Sequence, residues 1–144
     1  MTMERKSKLP LLGLGLSLSL ILMGCNPFDD ALRKESYQSL NLAEVKDELI
    51  GDDPEAITLD LFGSQETVEG EFTEEIKIID KQAFEKILIL TQMNLPDDSV
   101  RGMRYRLEFQ FDQSIGKWRL IEAGRQQSCY RSDNPKDWTI EPCP

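Results

Sequence analysis

The sequence predicts an α+β fold, with two N-terminal helices followed by an antiparallel meander sheet of about four strands and a disulfide-closed C-terminal loop. Three observations carry that expectation. Helix-start signals stand at Asn41 and Asp53, a strict alternation of apolar and polar residues runs from Met103 to Phe111, and two cysteines lie at positions 129 and 143. Successive strands joined by short turns favour a meander.

Residues 1–24 read as an export signal that is cleaved. Arg5, Lys6 and Lys8 outweigh Glu4, and Leu9 to Leu22 is almost wholly Leu, Ile, Gly and Ser. A spanning helix needs about 20 apolar residues, so this shorter run behind a basic flank has the signal pattern. Pro10, Gly13, Gly15, Ser17 and Ser19 are poor choices for a buried core helix. The run ends in Leu22-Met23-Gly24-Cys25, which resembles the lipobox of bacterial lipoprotein precursors. That resemblance implies cleavage before Cys25, a thioether to diacylglycerol on its thiol, and acylation (palmitate) of the new amine. One acyl chain binds reversibly and two or three anchor stably, because each buried methylene contributes about 0.8 kcal/mol.

Residues 25–40 have few apolar positions and no firm period, and read as a tether. Residues 41–144 then form one domain of ordinary size. Asn41 and Glu44 make a capping box, Leu40 and Val45 fall at staple positions, and Gly51 stands at the stop, which predicts a first helix from Leu42 to Ile50. Leu42, Val45 and Leu49 share its apolar face. Asp53-Pro54-Glu55 starts a second helix that stops at Gly63, although Ile57, Leu59 and Leu61 also alternate as on a strand.

Beyond Gly63 the period changes to two. Phe72, Ile76 and Ile78 alternate with polar neighbours, and "KILILTQ" is apolar on both sides, as in a central strand. The segment 81–90 stays open between strand and helix, since Asp80 can cap a helix bearing Phe84, Ile87 and Leu88. In "MRYRLEFQFD", Met103, Tyr105, Leu107, Phe109 and Phe111 face one way. A turn through Gln113 to Gly116 leads to the last strand, "KWRLIEAGRQQ". Pairing Phe111 with Trp118 sets Tyr105 opposite Gly124, where an aromatic ring covers bare backbone, and Arg104 opposite Arg125 with Arg106 on the same face.

Loss of Glu4, Arg5, Lys6 and Lys8 leaves 25 acids against 14 bases, net −11. Nucleic acid is not an expected partner, because phosphate affinity comes from clustered Lys and Arg. The absence of histidine removes Ser-His and Cys-His couples, imidazole metal sites and a histidine base. With Cys25 lipidated, Cys129 and Cys143 remain as a pair, and an oxidising envelope compartment favours their bridging. The 15-residue loop so closed contributes roughly 3 kcal/mol in the chain-entropy model. Two thiols without histidine make half a zinc site at best, so no metal and no cofactor is expected.

The run "WRLIEAGRQQSC", followed by Asp137-Trp138 and Cys143, resembles the ending of a group of small exported or lipid-anchored cyanobacterial proteins of uncharacterised activity. The resemblance covers about residues 53–144 and makes Gly124, Arg125, Gln126, Cys129, Trp138 and Cys143 signature positions. It implies a compartment, the periplasmic or thylakoid-lumenal side of a membrane, and no activity.

The candidate binding face is therefore Arg104, Arg106, Arg125, Gln126 and Trp138. Arginine forks suit carboxylate, phosphate or a peptide terminus. The same side chains can instead pair internally with Glu108, Glu122 or the acidic first half, and Trp138 can be a lid over the sheet end pinned by the disulfide. The expectation is a non-catalytic binding or accessory module for a membrane complex. A hydrolase using Asp97 and Asp98, and a structural spacer, are the alternatives, although a loop Asp-Asp usually serves a turn.

Overall fold

The computed structural model describes residues 31–45, 49–66 and 69–144. The expected signal, its cleavage site and Cys25 lie outside the described residues. The elements are β1 (Gln38–Ser39), β2 (Ile50–Gly51), α1 (Pro54–Phe62), β3 (Thr73–Gln82), β4 (Glu85–Met93), β5 (Val100–Asp112) and β6 (Lys117–Cys129). They build one six-stranded antiparallel sheet in the order β1-β6-β5-β4-β3, with β2 also paired to β6.

The expectation of two N-terminal helices before a four-stranded sheet is overturned. One α-helix, α1, lies wholly among the described residues, whose main structure is the sheet. Of the expected helix 42–50, the described residues show one 3₁₀ turn, Leu42–Glu44, and Ile50 in a strand. Its capping signals are satisfied inside that turn: Ala43 N–H donates to Asn41 Oδ1 at 3.1 Å, and Asn41 Nδ2 donates to Glu44 Oε1 at 2.9 Å. Val45 is then extended, and Leu49 accepts from Leu120 N–H at 2.8 Å. Pairing with the edge of β6 has overridden a local helix preference. The second start signal holds. Asp53 Oδ1 accepts from Glu55 N–H at 3.0 Å, Pro54 opens α1, and Gly63 N–H closes it on Leu59 O at 2.9 Å.

The long strands form the expected meander, and β4 settles the open choice in favour of strand, with Ile87, Leu88, Ile89 and Leu90 all buried. On one face Leu88, Leu107, Phe109, Leu120 and Ala123 make a core with Ile57 of α1, and Leu40, Leu42, Leu49 and Phe62 pack around it. So Leu42 and Leu49 reach the core as expected, though not from a helix. The described part of the segment read as a tether, 31–40, lies on the sheet. Ala31 and Tyr37 are buried, and Gln38 pairs with Arg125.

β6 carries three short segments along its outer edge. Ile50 pairs with Arg119, Gln38 with Arg125, and Thr139 exchanges two 2.8 Å hydrogen bonds with Gln127. An uncovered strand edge offers unpaired donors and acceptors to other chains, and here that edge is occupied piecewise.

Candidate functional site

The proposed register begins as expected and then slips. Phe111 pairs with Trp118 and Phe109 with Leu120, but Glu108 pairs with Glu122, so Ile121 is a bulge residue. Beyond it Tyr105 faces Arg125, Arg106 faces Gly124, and Arg104 faces Gln126. The expected pairs Tyr105–Gly124 and Arg104–Arg125 do not form, because one extra residue inverts the side-chain alternation of everything after it. Arg104, Arg106 and Gln126 therefore share the face away from α1, while Arg125 belongs to the opposite face.

Arg106 is bound into the structure. It is 5% exposed, its Nε donates to Leu32 O at 3.0 Å, and its guanidinium pairs with Glu108 at 2.7 Å. Lys81 reaches the same Glu108 oxygen at 3.1 Å. Burial alone would raise the Glu108 carboxyl, but the hydrogen bonds from Arg106 and Lys81 outweigh it and hold the group below its ordinary range. This is internal pairing.

Arg104 lies 4.0 Å from the Trp138 ring centroid, a cation-π contact. The Cys129–Cys143 disulfide is present, with Cα atoms 5.4 Å apart, and it ties the segment bearing Trp138 to the end of β6. Gly102 makes room beneath, since a Cβ there would come 3.2 Å from the Trp138 ring and 2.7 Å from Met93 Sδ. Trp138 acts as the lid. Gln126, 3% exposed, donates from Nε2 to Ser36 O at 2.7 Å, and its Oε1 is buried without a donor among the described residues.

Arg125 is different. It is exposed, its Nε donates to the neutral Gln38 Oε1 at 3.2 Å, and it has no carboxylate partner among the described residues. It borders a hollow of about 290 Å³ between the end of β1 and the Thr139 segment, with Gln38, Gln127, Thr139, Ile140 and Pro142 as walls. The sequence pointed to Arg125 but carried no signal for Gln38 or Ile140, which join it only because two remote segments meet on β6. A second hollow, about 250 Å³, lies over Gly124 between Tyr37, Lys34, Glu122 and Arg106. Its cations are already matched, Lys34 by Glu122 and Arg106 by Glu108, and Glu35 also lines it.

Asp97 serves a turn. Its Oδ1 accepts from the backbone of Ser99 at 2.8 Å and of Val100 at 2.6 Å, and those two bonds lower its pKa. A general acid needs the opposite shift. Among the described residues no three His, Cys, Asp or Glu side chains gather as metal ligands, and no helix is long and apolar enough to cross a membrane.

Comparison with family models, with curated proteins and with solved structures finds no match to this chain.

Proposed function

We propose that the chain is a lipid-anchored protein of the cell envelope, on the periplasmic or thylakoid-lumenal side, acting as a non-catalytic binding module for a membrane complex. The observation that carries the reading is the fate of the cysteines. Cys129 and Cys143 are joined, which leaves Cys25, at the end of the lipobox-like Leu22-Met23-Gly24, as the cysteine for a thioether. The contact is assigned to Arg125 and its hollow. An exposed guanidinium with a neutral amide partner, in a chain this acidic, suits a carboxylate on the partner complex.

The test is the intact mass of the protein extracted from its native membranes, with and without reduction. A species that begins at Cys25, carries acyl mass and gains two hydrogens on reduction is expected. A species that retains Met1, is unacylated and has free thiols overturns the reading.

A further inference from the structure

Two of the three tips of the meander, Gln82–Glu85 between β3 and β4 and Asp112–Lys117 between β5 and β6, lie at one end of the sheet. Aromatic rings gather there. Phe84 stacks on Phe111 with centroids 6.1 Å apart, Phe111 meets Trp118 edge-on at 5.2 Å, and Lys86 Nζ lies 5.1 Å from the Trp118 ring. Phe84 is 46% exposed and Ile115, on the adjacent tip, 53%. The surrounding cations are matched, Lys86 with Asp80, Lys117 with Asp52 and Arg119 with Asp112, so the acidic excess of the chain is not concentrated here. The opposite end carries the 94–99 turn and the polar run Arg131 to Asp137, where Tyr130 is a single half-exposed ring.

The position of the N-terminal segment bears on what can cover this patch. Ser36 O is bonded by Gln126 and Lys34 reaches Glu122, while Leu32 O is bonded by Arg106 midway along β5, whose partner Glu108 is also reached by Lys81 from the β3–β4 end. Only five residues, Asn26 to Asp30, separate Cys25 from Ala31, and at 3.3–3.6 Å per residue they reach about 20 Å at most. β5 and β6 are 13 residues long, roughly 40 Å at 3.3 Å per residue. Leu32 is bonded to Arg106, midway along β5 and about 20 Å from its tip end at 3.3 Å per residue, so a lipid on Cys25 brings the tip end within reach of the bilayer.

We infer that the tip end, Phe84, Phe111, Ile115 and Trp118, seats in the headgroup region of the membrane that carries the anchor. This rests on the lipid-anchor reading and names the surface that the anchor presents. Aromatic rings settle at the membrane–water boundary, where their apolar bodies leave water while the neighbouring lysines stay in it. The Arg125 hollow lies toward the other end of β6, turned to the aqueous side.

The two tryptophans test it, since Trp118 stands at the tip end and Trp138 at the far end. The acylated full protein is reconstituted into phosphatidylcholine–phosphatidylglycerol vesicles containing lipid with a doxyl quencher high on the acyl chain. Each tryptophan is read alone, in Trp138→Phe and Trp118→Phe variants. Emission from Trp118 is expected to be quenched at least about two-fold more than that from Trp138. Phe84→Ser with Ile115→Ser is expected to remove the difference while the protein still floats with the vesicles. A protein that floats but shows equal quenching overturns the docking and leaves the anchor standing, as does a protein partner that covers the tips. An unacylated protein that does not float overturns the anchor and the docking with it.

Discussion

Gly124 lies directly beneath Tyr37: a Cβ at position 124 would stand 2.7 Å from the Tyr37 Cβ and 3.3 Å from Gln38 O. β1 approaches β6 this closely because residue 124 has no side chain. Gly124→Ala is expected to destabilise by about 1–3 kcal/mol, since a buried overlap with backbone cannot relax freely. Chemical denaturation measures it, and each kcal/mol lowers Tm by roughly 4–8 °C in a domain of this size.

Arg106 and Arg125 separate structure from binding. Arg106→Met strands the Leu32 carbonyl and removes the main partner of Glu108, and is expected to cost about 3 kcal/mol. Arg125→Ala is expected to change stability by no more than about 0.5 kcal/mol. On the binding reading it abolishes co-purification with the membrane complex at an unchanged melting temperature. Retained co-purification argues for a spacer.

Acid should weaken the fold through Glu108. Its folded carboxyl ionises more readily than the unfolded one, so the stability it contributes is complete above the ordinary value of 4.5 and is lost as pH falls through the lower folded value. Asp97 and Asp112, held down by hydrogen bonds from the Val100 backbone and the Ser114 hydroxyl, act in the same direction. Glu108→Gln is expected to shallow the loss of stability below pH 4.5 without abolishing it, in urea melts across the acid range.

Reduction should loosen the far end of the sheet. Cys143→Ser is expected to lower stability by roughly 3 kcal/mol, the loop-closure figure for this length. Trp138 would then move into water, shifting its emission to the red in a Trp118→Phe background.

What the sequence made legible was local. Alternation from Met103 to Phe111, the both-sided apolar run of β4, the Asp53-Pro54 start of α1 and the cysteine pair each follow from residue type and period within one segment. What it hid was set by distant pairing. Leu42 to Ile50 carries a genuine cap and an apolar stripe, yet the free edge of β6 holds Leu49 and Ile50 extended. The Ile121 bulge has no signature in "WRLIEAGRQ", and it alone moves Arg125 across the sheet from Arg104. Of the five residues expected on one face, the structure brings together Arg104, Arg106, Gln126 and Trp138, and uses Arg106 and Trp138 internally. The aromatic cover of Gly124 exists, but Tyr37 supplies it from the segment read as a tether.

The three segments on the edge of β6 also fix an order of events. β1 and β2 lie some 70 to 90 positions ahead of their partners, so neither has anything to pair with until nearly the whole chain has been made. Closing such long loops is entropically slow, and the local hairpins from β3 to β6 come first. β1 and β2 therefore join last, which on the proposed export reading suits a chain threaded through a membrane before it folds.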